Sequence, residues 1–536
     1  MELLLHQWGD WPELYRNTDK TEATEIVIID SQMNYRGKLD TYLTSTLILT
    51  IILTRGIIFS ISKKAMTRRV RFHEWQRELR MVKAVQEGRR KMDLEPPGRI
   101  VKPAGTARYS SRVFMALSGV PVKSFSGDGG EKKSGNTVNH RLSFLRDDFF
   151  ISKNIQGGFH MNIKTICIHG SDWKDPTGCI SVPVFQSATF GHPELGESTG
   201  YDYTRVQNPT RESAEKVVAA LEHGCDCTSY SSGMAAISMV MELFRPGDTI
   251  LSSDDLYGGS IRLFRFVNEK NGIRFKFVNT SHPDQVEEAF DEAVKAVYIE
   301  TPTNPMMQIT DIRKTADIAH AHGALLIADN TFMSPYFCNP IDFGADIVIH
   351  SGTKYLAGHN DTLAGFVVVK DKEIADKLRF LYKTVGGCLA PWDSWLVTRG
   401  IKTLALRMEA AQKNAETLAE WLENHPKVSK VFYPGLADFP GRGIHFRQSR
   451  GAGAMLSFYT DSHETALQVL KNVKLIRFAE SLGGVESLIT YPATQTHSDL
   501  TEEERQSRGI TSCLLRLSVG IEDVNDLIAD LEQALG

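Results

Sequence analysis

A single lysine stands within a stretch of apolar and small residues, and its position raises the question of its use. The stretch is IVIHSGTKYLAGH, residues 347–359, and the lysine is Lys354. Burying an ammonium group costs free energy unless a partner or a reaction uses it. A half-buried lysine has a depressed pKa and becomes nucleophilic, which suits Schiff-base formation with a carbonyl group.

Three further segments hold groups that would complete such a site. Asp329 closes the apolar run ALLIAD, Tyr257 lies in DLYGG, and the small residues SSGMA (231–235) open a helix-like run. Pyridoxal phosphate (PLP) enzymes need a Schiff-base lysine, a carboxylate on the ring nitrogen, phosphate donors and an aromatic face for the ring. Backbone N–H groups at a helix N-terminus can bind the phosphate. Each feature alone has an ordinary structural explanation, but together and in this order they indicate a PLP site.

Strand-sized apolar runs alternate with helical patterns such as IRKTADIAHAH (312–322) from residue 161 onward. This alternation predicts an α/β fold with a mostly parallel sheet covered on both faces. Ligand sites in such sheets lie at the carboxyl ends of the strands, where Asp329, Asn304 and the turn before Lys354 fall. The predicted strands are DTILSSD (248–254), AVKAVYIE (293–300), GALLIADN (323–330), ADIVIHSG (345–352) and AGFVVVK (364–370).

Eight motifs spread over the same region make the chain similar to one enzyme family. They are YDYTRVQNPTR (201–211), YSSGMAA (230–236), DLYGGS (255–260), ETPTNP (300–305), ADNTF (328–332), HSGTKYLAGH (350–359), ESLGGVESL (480–488) and LLRLSVGIED (514–523). The chain closely resembles the PLP-dependent trans-sulfuration enzymes: cystathionine γ-synthase, γ-lyase and β-lyase, methionine γ-lyase and the O-acylhomoserine sulfhydrylases. The resemblance covers essentially all residues after Met161 and, we expect, none of the preceding extension.

The resemblance implies a fold and an assembly. The fold would be PLP fold type I, the aspartate-aminotransferase-like α/β fold, with a mostly parallel sheet in a large domain and a smaller α+β C-terminal domain. The family is typically a homotetramer, built as a dimer of dimers. The implied divisions are an N-terminal arm at 161–210 that contacts the neighbouring subunit, a large PLP-binding domain at 211–400 and a C-terminal domain at 401–536.

The resemblance also implies roles around the cofactor. Three residues would be catalytic. Lys354 would form the Schiff base and then carry protons, Asp329 would keep the ring nitrogen protonated, and Tyr257 would stack on the ring and assist proton transfer. Asn304 would bind the phenolic oxygen of the ring. The phosphate would be bound by residues from two subunits: Gly233, Met234, Ser351 and Thr353 of one, with Tyr203 and Arg205 of its neighbour. Gly352 stands where the family often has alanine, which loosens the turn but removes no functional group.

The substrate side is implied in the same way. Arg516 would bind the α-carboxylate of an amino-acid substrate, since a guanidinium fork fits a carboxylate bidentately. Ser481, Asn304 and Tyr203 would assist it. Glu480 would lie at the site entrance and bind the distal amino group of the substrate.

The sequence signals that indicate which reaction of the family the enzyme catalyses are weaker. The stretch AESLGGVESL around Glu480 is similar to γ-synthases and γ-lyases, and ITYPATQTHSDL (489–500) to γ-synthases that use acylhomoserine. His497 in that stretch is expected to be structural. The sequence favours a cystathionine γ-synthase-like enzyme that converts O-acylhomoserine and cysteine to cystathionine. The alternatives are a γ-lyase, a β-lyase, an O-acylhomoserine sulfhydrylase and, more remotely, an aminotransferase or a PLP-domain transcriptional regulator.

Residues 1–160 differ from the rest in charge and pattern. They hold 26 Lys and Arg against 17 Asp and Glu, whereas the whole chain has a net charge of −4. The apolar run 42–62 contains Arg55, which argues against a membrane span, and 99–160 is expected to be poorly ordered. Because QGG before Met161 can be encoded by a ribosome-binding sequence, we expect translation to start at Met161. The upstream part would then be a mis-assigned reading frame, and a genuine divergent extension is the alternative.

The cysteine content and the composition limit which metals and binding partners can be expected. The seven cysteines all follow residue 160, and their odd number and irregular spacing do not predict a disulfide framework. The pair in Cys225-Asp226-Cys227 is too closely spaced for a zinc site, so no metal is expected. A cytoplasmic enzyme that binds neither nucleic acid nor membrane fits best.

Overall fold

The computed structural model describes residues 161–536 together with three short strands nearer the N-terminus. The chain divides into two compact units, Met1–Asn139 and His140–Gly536. In the first unit, β1 (Glu25–Ile28), β2 (Leu49–Leu53) and β3 (Ile57–Phe59) form an antiparallel sheet in the order β1-β2-β3. Among the described residues, no helix is both long and apolar enough to cross a membrane. The predicted disorder at 99–160 lies outside the described residues.

A seven-stranded sheet forms the centre of the second unit, in the order β4-β10-β9-β8-β7-β5-β6. Only β10 runs antiparallel to its neighbours β4 and β9, and the other pairings are parallel. All five predicted strands are confirmed. The strands are β4 (Asp226–Tyr230), β5 (Thr249–Ser253), β6 (Arg274–Val278), β7 (Val294–Glu300), β8 (Leu325–Asp329), β9 (Ile347–Ser351) and β10 (Gly365–Val369).

Side chains of this sheet alternate between two buried hydrophobic clusters. Val348 packs in one cluster, whereas Ile347 and Ile349 pack in the other. Successive side chains on a strand point to opposite faces, so both faces are covered and the strands consist almost wholly of apolar residues. The predicted α/β fold class, with its mostly parallel sheet, is confirmed.

Helices cover the two faces of the sheet and include the predicted helix in 312–322. They are α1 (Ile163–His169), α2 (Pro209–Glu222), α3 (Gly233–Met241), α4 (Gly258–Leu263), α5 (Pro283–Glu288), α6 (Ile312–Ala321), α7 (Ser334–Phe337), α8 (Lys372–Val385) and α9 (Pro391–Ile401). Phe264–Asn268 forms a π-helix, and Glu269–Asn271 and Pro340–Phe343 form 3-10 turns.

Side-chain caps fix the start of two helices near the site. Asn208 accepts hydrogen bonds from the N–H groups of Thr210 and Arg211, and Pro209 occupies the first turn of α2. Ser232 caps α3 through the N–H of Ala235, at 3.1 Å. Both follow the preference for Ser and Asn at the N-cap and for Pro in the first turn.

A second, five-stranded sheet follows in the order β11-β12-β15-β14-β13, antiparallel except for the pair β13 and β14. Its strands are β11 (Val428–Phe432), β12 (Met455–Thr460), β13 (Arg477–Phe478), β14 (Leu488–Thr490) and β15 (Leu514–Ser518). Its helices are α10 (Leu404–Glu423), α11 (Arg442–Gln448), α12 (His463–Asn472), α13 (Glu502–Ser507) and α14 (Val524–Leu535). We refer to 211–400 as the large-sheet region and to 401–536 as the small-sheet region.

Candidate active site

Lys354 lies in the turn between β9 and β10. The turn is closed by Thr353, whose hydroxyl oxygen accepts the N–H of Ala364 at 3.0 Å, just before β10 begins. The ammonium group of Lys354 donates to the hydroxyl of Ser481 at 2.8 Å, and Ser481 belongs to the small-sheet region. The lysine therefore lies where the two sheet regions meet.

The environment of Lys354 favours its neutral form. Burial, and to a smaller extent the positive charge of Arg516, lower the pKa of Lys354 from 10.5 to about 8, while Glu480 acts in the opposite direction. A lysine with a pKa near 8 is partly unprotonated at neutral pH and can act as a nucleophile or as a base. Lys354 is therefore able to take part in the Schiff-base chemistry that the sequence predicts for it.

Asp329 ends β8, beside β7 and β9. Its Oδ1 accepts hydrogen bonds from the N–H and hydroxyl of Thr331 at 3.0 and 2.6 Å, which fixes the direction of the carboxyl group. Burial raises the pKa of Asp329 above its ordinary value. A cationic partner within hydrogen-bond reach, such as a protonated ring nitrogen, would restore the charged form.

Gly233 and Ser351 form a close cradle at the start of α3. A Cβ on Gly233 would lie 2.9 Å from Cβ and 3.0 Å from Oγ of Ser351, so no larger residue fits there without displacement. The N–H of Ser351 is itself held by the hydroxyl of Thr331, at 2.9 Å. Small side chains and the N-terminal N–H groups of α3 thus lie close to the ends of β8 and β9, in an arrangement suited to an anion.

The ring of Tyr257 packs near the start of α3. A Cβ on Gly259 would collide with that ring and would come within 3.1 Å of the sulfur of Met234. The side chain of Tyr257 remains 39% exposed. An aromatic face is therefore open to solvent next to Met234.

Arg516 is the buried cation of the site. It lies on β15, is 2% exposed, and donates to the side-chain oxygen of Asn304 at 2.8 Å, to the carbonyl of Ser481 at 3.1 Å and to the hydroxyl of Thr490 at 3.2 Å. Its Nε is buried and has no partner among the described residues. Burial lowers the pKa of Arg516 to about 10, and Glu300 opposes that shift. A buried guanidinium with a free donor has capacity for one more acceptor.

Ser481 connects the lysine with the arginine. Its φ of +94° is rare for a residue with a side chain, and it directs the hydroxyl to Lys354 and the carbonyl to Arg516. Backbone strain of this kind persists where the surroundings enforce it, often at functional sites. Glu480, just before it, is exposed, and its charge acts on both Lys354 and Arg516.

Two predicted residues are not brought to the lysine within one chain. Tyr203 is 45% exposed, and the guanidinium of Arg205 lies 5.4 Å from the centre of its ring. Arg205 donates to the carbonyl of Lys383, at the end of α8, and packs against Gly386. The role predicted for both residues, in a neighbouring subunit, remains a prediction.

Three residues of the site surroundings were given no role by the sequence. Glu300 ends β7 in register with Asp329, Thr331 orients that aspartate, and Thr490 holds Arg516. His497 was predicted as structural but without a partner. Glu300 carried a detectable signal, because an acid at the end of a buried strand next to Asp329 must lie at the same sheet edge. The pairing of Thr490 with Arg516 depends on strand register and has no local signal.

These groups fit PLP. The cradle at Gly233 suits a phosphate, the Asp329 carboxylate suits a ring nitrogen, Lys354 suits an aldehyde, and the unpaired Nε of Arg516 suits a substrate carboxylate.

Comparison with known proteins agrees with that fit. The family model for "Cys/Met metabolism PLP-dependent enzyme" matches residues 164–536. The chain belongs to this family, which confirms the predicted family, fold class and cofactor.

Curated relatives carry three different reaction names. A cystathionine γ-lyase of Bacillus subtilis is 50% identical over 376 residues, covering 70% of this chain and 99% of the relative. A cystathionine γ-synthase of Haemophilus influenzae is 48% identical over 366 residues, covering 68% and 95%. A cystathionine β-lyase of Lactococcus lactis is 47% identical over 375 residues, covering 70% and 99%. The chain is thus an enzyme of the cystathionine γ-synthase, γ-lyase and β-lyase group.

Solved structures give the same result. A cystathionine γ-lyase from Lactobacillus plantarum complexed with L-serine has a TM-score of 0.69 at 44% identity, covering 70% of this chain and 98% of that one. A cystathionine γ-synthase from Xanthomonas oryzae, with aminoacrylate and cysteine, has a TM-score of 0.68 at 40% identity and the same coverage.

One relative extends further toward the N-terminus. A chloroplastic cystathionine β-lyase of Arabidopsis thaliana is 44% identical over 427 residues, which is 80% of this chain. That match is longer than the stretch from Met161 to Gly536, so it includes residues before Met161. The expectation that the resemblance stops at Met161 is therefore wrong for this relative.

Proposed function

We propose that the enzyme acts at the γ-carbon of its substrate and joins O-acylhomoserine to cysteine, giving cystathionine and a free carboxylic acid. The observation that carries this proposal is the position of Glu480. Its exposed carboxylate precedes Ser481, which binds both Lys354 and Arg516, and its charge acts on both cations. An anion at the entrance can bind the amino group at the distal end of a substrate whose carboxylate is held by Arg516.

The residues that would hold PLP lie on the large-sheet region. Lys354 would bind its aldehyde carbon, Asp329 its ring nitrogen, Tyr257 its ring face, and the cradle of Gly233 and Ser351 its phosphate. Met234 and Thr353 would complete the phosphate site. Bound there, the cofactor supplies an electron sink that stabilises negative charge on the substrate carbon atoms.

Lys354 would move the protons. Substitution at the γ-carbon requires removal of a proton at Cα and then at Cβ before the Cγ–O bond breaks and the carboxylate leaves, whereas β-elimination needs only the first. A lysine whose pKa is about 8 can accept and return protons near neutral pH. The hydroxyl of Ser481, 2.8 Å from its nitrogen, gives this flexible side chain a defined resting position.

Arg516 would orient the substrate. Asn304 and the carbonyl of Ser481 hold two of its nitrogens, which leaves Nε for the α-carboxylate. The resulting charge-assisted bond would place Cα and Cβ within reach of Lys354. The same grip serves every reaction in the group, so Arg516 does not select among them.

Cystathionine γ-lyase activity is the second candidate. It is supported by the 50% identity to the Bacillus subtilis γ-lyase, which exceeds the 48% to the Haemophilus influenzae γ-synthase. γ-Elimination of cystathionine, followed by hydrolysis of the resulting imine, would yield cysteine, 2-oxobutyrate and ammonia. Both candidates require proton transfer at Cβ and use the same side chains.

Products identified by mass spectrometry separate these reactions. The purified, PLP-loaded chain receives L-cystathionine alone, and then O-acetylhomoserine or O-succinylhomoserine with cysteine. Cystathionine from the second mixture supports the γ-synthase proposal, and 2-oxobutyrate from cystathionine supports the γ-lyase. Pyruvate and homocysteine from cystathionine, without γ-products, would contradict both and indicate a β-lyase.

The assembly proposed for this activity is a homotetramer, made of dimers in which Tyr203 and Arg205 of one subunit reach the phosphate of the other. Its support is that neither residue contacts Lys354 or Asp329 within the described chain. Mixing the inactive variants Lys354→Ala and Arg205→Ala should restore part of the activity if the site is shared between subunits. We place the enzyme in the cytoplasm, where the seven free cysteines described here would stay reduced.

A further inference from the structure

One peptide unit beside the candidate site is held from both sides by buried ionisable residues. The carbonyl of Leu256 accepts from Nε2 of His497 at 2.9 Å, and the N–H of Tyr257 donates to Oε2 of Glu300 at 3.0 Å. These two groups belong to the same peptide bond. His497 is 1% exposed and Glu300 is 5% exposed, so water does not compete for either hydrogen bond.

The two side chains reach that peptide from different parts of the fold. Glu300 is the last residue of β7, at the sheet edge that also presents Asp329. His497 belongs to the segment that follows β14 in the small-sheet region. The Leu256–Tyr257 peptide therefore connects the cofactor edge of one sheet region with a loop of the other.

The hydrogen bonds of His497 define its role as a donor. Its Nδ1 lies 2.8 Å from the hydroxyl of Thr496, and its Nε2 faces the Leu256 carbonyl, which can only accept. Burial lowers the pKa of His497 to about 4, so the ring is neutral and carries its single proton on Nε2. The segment also approaches closely, since a Cβ on Gly258 would collide with the carbonyl of Thr496.

Ion pairs attach the same segment to the helix that Tyr257 precedes. Arg262 on α4 donates to Asp499, and Arg265 lies 2.8 Å from Glu504. Both pairs are partly exposed, so each contributes little by itself. They show that the contact between His497 and Leu256 belongs to a continuous interface.

Tyr257 depends on its backbone for its position. Its side chain is 39% exposed, and no side chain among the described residues caps the helix that it precedes. A ring with one open face is not fixed by packing alone. Displacement of the peptide at its base would move the phenol relative to Met234 and Arg516.

We propose that His497 and Glu300 are a pair of positioning residues that grip the Leu256–Tyr257 peptide and thereby fix the Tyr257 ring in the working enzyme. This inference rests on the proposed function, in which Tyr257 stacks on the cofactor. It assigns to the loop of the small-sheet region a direct influence on the cofactor environment.

His445 offers a matched control for His497. It is also 1% exposed, its Nε2 lies 2.8 Å from a backbone carbonyl, that of Gly451, and burial likewise lowers its pKa to about 4. It lies in α11 and contacts none of the candidate site residues. His497→Phe and His445→Phe remove equivalent buried hydrogen bonds, only one of which reaches Tyr257.

The PLP-loaded enzyme is used to compare kcat, KM, melting temperature and the visible circular dichroism of the bound cofactor. We expect His497→Phe to lower kcat at least about tenfold with a smaller change in KM, because small displacements of reacting groups cost rate steeply. The circular dichroism band should also change. His445→Phe should lower the melting temperature similarly and leave kcat within about twofold.

Glu300 gives a second test if His497→Phe does not fold. Glu300→Leu removes the acceptor, whereas Glu300→Gln retains an oxygen that can accept the Tyr257 N–H, so Gln should recover most of the kcat that Leu loses. Because both residues hold one peptide, the losses of kcat in the double variant His497→Phe/Glu300→Leu should be less than multiplicative.

Equal kcat in His497→Phe and His445→Phe, or an unchanged cofactor circular dichroism in both His497→Phe and Glu300→Leu, would overturn the inference. These readouts do not depend on which product is formed. If the enzyme turns out to be a β-lyase, the proposed function fails while this comparison remains valid.

Discussion

The cofactor half and the substrate half of the candidate site are built in different ways. The cofactor half lies at the ends of regular elements: Asp329 ends β8, Gly233 begins α3, and Lys354 lies in the turn that follows β9. The substrate half comes from the small-sheet region, where Arg516 lies on β15 and Ser481 has a left-handed backbone with φ of +94°. The ends of regular elements therefore fix the first half, whereas the second half combines a strand residue with a strained loop residue.

This difference suggests that the two halves have different tasks, the cofactor half the common chemistry and the substrate half the choice of reaction. The groups of the cofactor half would serve any reaction of the family, because they act on the cofactor and on protons. Under the proposed function, the loop that carries Glu480 and Ser481 would face the distal part of a substrate, and residues there would help to decide among the γ-synthase, γ-lyase and β-lyase reactions. The relatives' names differ at nearly equal identity, as expected if few positions decide the reaction.

Lys354→Ala should have the largest effect. It removes the amine proposed to bind the cofactor covalently and the base proposed to move protons, so kcat should fall by on the order of a thousandfold or more. The measurement is steady-state turnover of cystathionine or O-acetylhomoserine with cysteine. Lys402→Ala, at an adjacent helix end, serves as the control, and comparable loss in both variants would contradict the assignment.

Arg516→Lys should be the next largest effect and should act on the other half. A lysine cannot reproduce the planar fork that contacts Asn304 and Ser481 and is proposed to bind the substrate, so kcat/KM should fall roughly 10- to 100-fold, mainly through KM. Cofactor content measured by absorbance should stay near that of the parent.

Arg407→Lys is the matched control for that substitution. Arg407 is also buried and donates to the carbonyls of Tyr355 and Gly400, at 2.7 and 2.9 Å, but it has no donor assigned to a substrate. An increase in KM of equal size in both variants would mean that Arg516 acts only through packing.

The difference between the two halves also explains which site contacts could be predicted from the sequence. Asp329 and Lys354 follow apolar strands, so the rule that ligands bind at strand ends brings them together without knowledge of the fold. The hydrogen bond from Lys354 to Ser481 spans 127 positions in the chain and depends on how the two sheet regions pack. Family resemblance identified Ser481 and Arg516, but no local pattern predicted their contact.

Glu300 and His497 illustrate a second kind of contact that could not be predicted from the sequence. Glu300 stands in the quoted motif ETPTNP, yet its partner, the N–H of Tyr257, is a backbone group 43 positions away. Partners of this kind leave no trace in side-chain chemistry, since every residue but proline carries an N–H. Register and loop geometry, which follow from tertiary packing, decide such contacts.

Gly233→Ala should weaken the cofactor half selectively. The new Cβ would lie 2.9 Å from Cβ of Ser351, so the cradle must shift, and we expect the dissociation constant for PLP to rise about tenfold. Titration of the cofactor-free protein measures it. Gly443→Ala is the control, because its Cβ would meet only the end of the Arg447 side chain at 3.9 Å.

Glu480→Arg should affect only the substrate half. Reversal of the charge at the entrance should raise KM for cystathionine or cysteine about threefold to tenfold, since the residue is exposed and its interaction is screened. PLP affinity should not change. Unchanged kinetics with every amino-acid substrate would remove the argument that places the distal amino group at Glu480.

Glu480→Gln tests the electrostatic link between the halves and should give the smallest effect. Only neutral Lys354 attacks the cofactor aldehyde, so capture of PLP by the cofactor-free protein should rise with pH with a midpoint at about 8, below the ordinary 10.5. Glu480 raises the pKa of Lys354, so loss of its charge should move that midpoint to lower pH. Stopped-flow absorbance across the pH range measures it.

Two variants fix the sign of that shift. Arg516→Met removes a positive charge that lowers the pKa of Lys354, so the capture midpoint should move to higher pH, opposite to Glu480→Gln. Glu486→Gln, in the same loop but without influence on Lys354, should leave it in place. If Glu480→Gln and Arg516→Met move the midpoint in the same direction, the charges of the substrate half do not control the pKa of Lys354. Changes in burial, which is the larger cause of the depressed pKa, would then outweigh them.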